Sequence, residues 1–146
     1  MSMNTWLQLS DAMIRTIEHP ANGVLGVVDE LLAQCPQHGL RLEWRADHCC
    51  LLLLSENGQE SSFPVSIRKS VLRTILARFA ALCNERATNS VSPYGGEGTF
   101  SADDLEKGFR VAFVNTPAEQ KLELMREDRP TPVREDIRND IVGAVR

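Results

Sequence analysis

The sequence predicts an α+β fold in which an antiparallel sheet, built from a three-strand meander and a later hairpin, is packed by a long amphipathic helix. Three observations lead to this prediction. Residues 65–86 repeat apolar side chains at helical spacing, whereas residues 40–45, 109–113 and 121–124 alternate apolar and polar side chains with a period of two. Further helices are predicted at both termini.

Size and charge limit the classes of protein to consider. A chain of 146 residues is the size of one domain. We assign residues 1–128 to a single α+β domain and residues 129–146 to a C-terminal amphipathic helix that docks on it or forms a dimer. The net charge of −4 disfavours nucleic-acid binding through the overall field of the protein. Residues 40–86, with seven basic and five acidic side chains, still permit a local basic patch.

Two short helices are predicted before the first strand. One apolar stripe places a helix at residues 4–18, ending before Pro20. A second stripe begins at Val24 and ends at Pro36.

The next segment predicts the meander. Residues 40–45 alternate as in a strand with one solvent-facing side, and residues 48–54 are apolar on both sides, as expected of a central strand. Asn57-Gly58 is a hairpin signal, and Pro64 restricts the third strand to an edge of the sheet. We therefore expect the first and third strands to form the two edges and the second to lie between them.

The long helix is predicted from Ile67 to Arg86, with Ser66 as its N-cap. Residues 89–98 are then predicted to form a loop, because Ser, Asn, Pro and Gly dominate them. Residues 109–113 and 121–124 alternate as two strands, joined by a turn at residues 115–119.

The C-terminal segment returns to helical spacing. Thr131 and Pro132 suit the start of a helix, and a narrow apolar stripe follows. We predict that this stripe contacts a partner, which is either the rest of the chain or a second copy. Its residues are Val133, Ile137, Ile141 and Val145.

The stretch SPYGGEG is the first candidate site. Its adjacent glycines allow a ligand to approach the backbone, Tyr94 offers a stacking face and Glu97 a carboxylate. The stretch matches neither a Walker loop nor a dinucleotide fingerprint, so a tight structural loop is the competing interpretation. The ligand-binding candidates are Tyr94, Gly95, Gly96 and Glu97.

Metal and thiol chemistry are disfavoured by the predicted strands. Cys35 and His38 have ligand-like spacing, but His48 would lie a strand length of about 20 Å away. His48 is next to Cys49, yet adjacent strand residues point to opposite faces, so this pair is not expected to act as base and nucleophile. We predict no metal, no cofactor and no catalytic residue.

Compartment and nucleic-acid binding are predicted from composition. The N-terminus lacks the features of a secretory signal, and no apolar run is long enough to span a bilayer, so we expect a cytoplasmic protein with reduced cysteines. Basic residues flank the helix at 67–86, and the element order of residues 22–86 matches a double-stranded RNA-binding domain. An ordinary solvated helix face also explains this flank.

The order helix, three strands, helix, two strands, helix in an acidic chain resembles the class I type III secretion chaperones. The resemblance covers residues 22–146 in element order, and the extra N-terminal helix and the SPYGGEG stretch depart from it. It implies a cytoplasmic homodimer without enzymatic activity that holds a segment of an effector protein.

Three functions are therefore considered. The first is a non-enzymatic binding or assembly protein, chaperone-like or adaptor-like, whose partner is another protein or a second copy of itself. The second is a small-molecule-binding protein or enzyme with a pocket at the SPYGGEG stretch. The third is an RNA-binding protein that uses the basic flank of the long helix.

Overall fold

The computed structural model describes residues 3–55, 57–86, 91–102 and 107–127, without the side chains of residues 3–6, 86, 102 and 107. The predicted helix at 129–146 and its apolar stripe lie outside these residues. Three helices are described: α1 (Met3–Glu18), α2 (Gly23–Gln34) and α3 (Lys69–Arg86). The strands are β1 (Leu40–Arg45), β2 (His48–Leu54), β3 (Glu60–Val65), β4 (Gly95–Ala102), β5 (Lys107–Asn115) and β6 (Gln120–Arg126).

The six strands form one antiparallel sheet in the order β3-β2-β1-β6-β5-β4, which confirms the predicted fold class. Two meanders, β1–β3 and β4–β6, join where β1 pairs with β6, with Leu40 opposite Leu124 and Leu42 opposite Leu122. The prediction that β1 is an edge strand is wrong. The edge of β1 that faces away from β2 pairs with β6, a strand that is distant from β1 in the sequence.

Helix α3 packs on one face of this sheet, α1 contacts β3, and α2 packs against α1 and α3. Side chains from α3 and from alternate strand positions are almost fully buried there and form the main core. Its most buried large members are Leu42, Leu51, Leu53, Leu72, Ile75, Leu76, Phe79, Phe109 and Leu122. The predicted amphipathic face of the long helix is therefore the one that covers the sheet.

The start of α3 differs from the prediction. The helix begins at Lys69 because the Ile67 amide bonds back to the Val65 carbonyl and turns the chain first. Ser66 is therefore not its N-cap. The Ser66 backbone N–H instead donates to the Glu18 carboxylate at 2.7 Å, which ties the end of α1 to the start of α3.

The predicted loop at residues 89–98 is wrong in its second half, where β4 begins at Gly95 and pairs with β5 along the sheet edge. Glycine is required there by crowding. A Cβ at Gly95 would lie 2.9 Å from the Phe113 carbonyl oxygen, and one at Gly98 would lie 3.0 Å from the Cys83 sulfur. The glycines that suggested a flexible loop are therefore those that let an edge strand approach its neighbours closely.

Polar contacts fasten α3 to the second meander. Asn115, at the end of β5, accepts a hydrogen bond from Arg73 Nε at 2.9 Å and donates to the Arg73 carbonyl at 3.2 Å. Asn84 makes a reciprocal pair of hydrogen bonds with the Val91 backbone, both 3.1 Å long. These bonds fix how the chain leaves the helix and enters β4.

Candidate functional site

The sheet face opposite the helices is one candidate binding surface in the described part of the chain. Its side chains are the alternate set of strand positions, and they include the exposed Leu54, Thr99, Arg110 and Met125. The exposure of side chains across four strands indicates that none of α1, α2 and α3 covers this face. We call it the open face.

An apolar depression of about 160 Å³ lies at one end of the open face. Its apolar lining comes from Leu40, Leu52, Leu53, Leu54 and Met125, and Leu52 is 3% exposed although no described helix lies above it. Met125 is half exposed, at 50%. The depression therefore exposes the apolar side chain of Met125 to solvent beside the buried side chain of Leu52.

Charged side chains border this depression. Arg41 lies within 3.7 Å of Glu43, 3.5 Å of Glu60 and 3.3 Å of Glu123, so one guanidinium on β1 contacts the adjacent β6 and reaches across β2 to β3. Exposed ion pairs of this kind stabilise a fold by only about 0–1 kcal/mol each. Arg41 is also directly opposite Leu52 in the sheet, which places its aliphatic stem beside this leucine.

The other end of the open face carries a line of three polar groups at the β1–β2 turn. Asp47 Oδ1 lies 3.0 Å from His48 Nδ1, and His48 Nε2 lies 3.2 Å from the Cys50 sulfur. His48 and Cys50 are two positions apart on one strand, so their side chains share a face. Across the strand pair, Glu43 is opposite Cys50 and binds Arg45 at 2.7 Å, which raises the pKa of that guanidinium.

Cys49 points to the opposite side of the sheet, as the alternation predicts. It is fully buried under the helices, and burial raises the pKa of its thiol to about 12. Among the described residues, no three His, Cys, Asp or Glu side chains are grouped as a metal site would require.

The predicted ligand-binding residues fall at the far edge of the sheet. Tyr94 lies in the turn before β4 with its side chain 65% exposed, and Glu97 is exposed on the open face. The backbone of Tyr94 is fixed at both ends, since its N–H donates to Ser92 Oγ and its carbonyl accepts from the Asn115 amide. Gly95 and Gly96 have φ values of 154° and 149°, so conformation alone accounts for both glycines.

The basic flank of α3 is largely engaged within the chain. Arg73 binds Asn115, Arg78 pairs with Glu85 at 3.3 Å, and Lys69 lies 5.6 Å from the centre of the Trp44 ring. These contacts give three of the cations a structural role, so the geometry does not favour RNA binding through this helix.

Sequence reasoning missed both ends of the open face. The apolar depression needs Leu52 and Leu54 of β2 beside Met125 of β6, and nothing local relates residues so far apart. The proximity of His48 and Cys50 could be predicted from the sequence, because residues two apart on a strand share a face. Only the adjacent pair of His48 and Cys49 was considered above.

Within the described ranges, no helix is long and apolar enough to cross a bilayer. No protein-family model, curated protein or solved structure matches this chain. The element order that suggested class I type III secretion chaperones is only partly present, since three strands, β4, β5 and β6, follow α3 where two were expected.

Proposed function

We propose that this chain is a non-enzymatic assembly protein that works as a homodimer, in which the open face of one copy binds the C-terminal segment of the other. The observation that carries the proposal is the apolar depression of Leu52, Leu54 and Met125 on a sheet face that no described helix covers. An apolar centre with a charged rim is the usual arrangement of a protein interface.

The C-terminal segment is the matching surface within this sequence. Its stripe of Val133, Ile137, Ile141 and Val145 needs an apolar partner if the segment is helical. The chain leaves β6 next to the depression, since Met125 lines it and the Glu127 amide bonds to the Gly108 carbonyl. The segment therefore starts beside the surface that we propose it binds in a second copy.

Dimensions support the same pairing. Residues 131–146 would extend about 24 Å as a helix at a rise of 1.5 Å per residue. Six strands spaced about 4.8 Å apart place the outer strands about 24 Å from each other. A helix of this length can lie across the full width of a partner's sheet.

The test is the solution mass of the full chain by light scattering. We expect a dimer for the unaltered protein and a monomer for Met125→Glu and for Ile137→Glu, because each places a carboxylate in the apolar contact. Leu25→Glu is the matched control, since Leu25 is 57% exposed on α2 and lies away from the open face. This variant should stay dimeric.

Two results would count against the proposal. A monomer for the unaltered chain means that the segment binds its own copy or nothing. A dimer that survives Met125→Glu, with circular dichroism unchanged, means that the chain associates through another surface.

A further inference from the structure

The four cysteines of this chain occupy two different environments. Cys35, Cys49 and Cys83 belong to the core beneath the helices. Cys50 lies on the open face, and an imidazole nitrogen of His48 is 3.2 Å from its sulfur. Cys50 is 4% exposed, and its cross-strand neighbours in the sheet are Glu43 of β1 and Pro64 of β3.

The contacts from Asp47 to His48 and from His48 to Cys50 have the arrangement of a general base beside a nucleophile. When His48 donates from Nδ1 to the Asp47 carboxylate, Nε2 is left as an acceptor that faces the Cys50 thiol. A thiol is nucleophilic as the thiolate, so an adjacent base increases its reactivity. Asp47 acts as a positioning residue, because it touches only the imidazole.

We propose that Cys50 is a nucleophilic thiol, activated by His48, and is a modification site for hydroperoxides and other small electrophiles. In the first step the S–H proton passes to His48 Nε2. The thiolate then attacks the nearer oxygen of a hydroperoxide, forming an S–O bond as the O–O bond breaks. His48 returns the proton to the leaving oxygen, so that hydrogen peroxide yields a sulfenic acid and water.

The charges around Cys50 are compatible with this chemistry. Glu43 opposite it is paired with both Arg41 and Arg45, which reduces the repulsion that its carboxylate would exert on a thiolate. On its other side β3 presents Pro64, which is uncharged. Asp47 and His48, on the same turn, are further ionisable groups at this end of the open face.

This site is independent of the proposed dimer contact. Cys50 and Leu54 are four positions apart on β2, which is about 13 Å along the strand. A docked helix about 10 Å across, centred on the depression, leaves the turn end of the open face uncovered. Loss of dimerisation and loss of thiol reactivity can therefore be measured separately.

The test is carbamidomethylation of the folded full chain by iodoacetamide at neutral pH, followed by tryptic mapping. Trypsin separates Cys35, Cys83 and the Cys49–Cys50 pair into peptides 16–41, 79–86 and 46–68, and fragmentation distinguishes Cys49 from Cys50. We expect Cys50 to react first. The other three should become modified only after unfolding.

His48→Gln should slow the reaction of Cys50 about tenfold, since an ordinary thiol is only a few per cent ionised at pH 7. His19→Gln is the control, because His19 is exposed at the end of α1. Hydrogen peroxide with dimedone should label Cys50 and leave Cys50→Ser unlabelled. Reaction of all four cysteines at similar rates, an unmodified Cys50, or a wild-type rate in a folded His48→Gln would each overturn the proposal.

Discussion

At the residue scale, backbone conformation and a close neighbour both favour glycine at position 96. Its φ of 149° is a conformation that side chains rarely adopt, and an added Cβ would lie 3.1 Å from the Val91 side chain. We expect Gly96→Ala to lower the free energy of unfolding by about 1–3 kcal/mol, measured by urea denaturation. A loss of this size would show that Gly96 contributes to the stability of the fold.

Tyr94→Ala is the paired measurement. With 65% of its side chain exposed, Tyr94 should be replaceable with a change of less than about 0.5 kcal/mol in stability. A ligand that binds the unaltered protein and not Tyr94→Ala would revive the pocket hypothesis. Equal stability for Gly96→Ala and the unaltered protein would contradict the structural role of Gly96.

The contact between α3 and β5 is the clearest prediction at the scale of elements. Asn115 is 7% exposed, and both ends of its amide bond to Arg73. Asn115→Ala leaves those groups of Arg73 without their partner, so we expect a loss of about 1–3 kcal/mol in the free energy of unfolding. Thr74→Ala, on the exposed side of α3, is the control and should change stability by less than about 0.5 kcal/mol. An equal effect of both substitutions would show that this contact does not fasten the helix.

Elements with a strong local pattern were predicted closely. β1 and β2 have the predicted bounds because alternation and a two-residue turn at Ala46-Asp47 determine them, and Pro64 lies on the edge strand β3 as expected. β4 was missed in part because Gly, Ser and Pro signal a loop. Glycine is necessary in β4 because of its neighbours Cys83 and Phe113, and neither of these residues is adjacent to β4 in the sequence.

For the whole molecule, the described domain should fold without its C-terminal segment. The buried residues of the described core all lie between Met13 and Leu124, before the C-terminal segment begins. We expect a chain ending at Asp128 to show cooperative thermal unfolding and the mass of a monomer. A folded dimer of this shortened chain would contradict the proposed role of the segment, and an unfolded one would show that the segment completes the core.

The sequence by itself determined the fold class, the bounds of β1 and β2 and which strand residues share a face, because side-chain periodicity is a local property of the backbone. Only the tertiary structure decided that β1 pairs with β6, since that choice depends on which strand edges remain free when both meanders form. The same pairing joins Leu52 and Leu54 to Met125 and so creates the depression. The proposed binding surface is thus a product of contacts between residues about 70 positions apart, which no local pattern records.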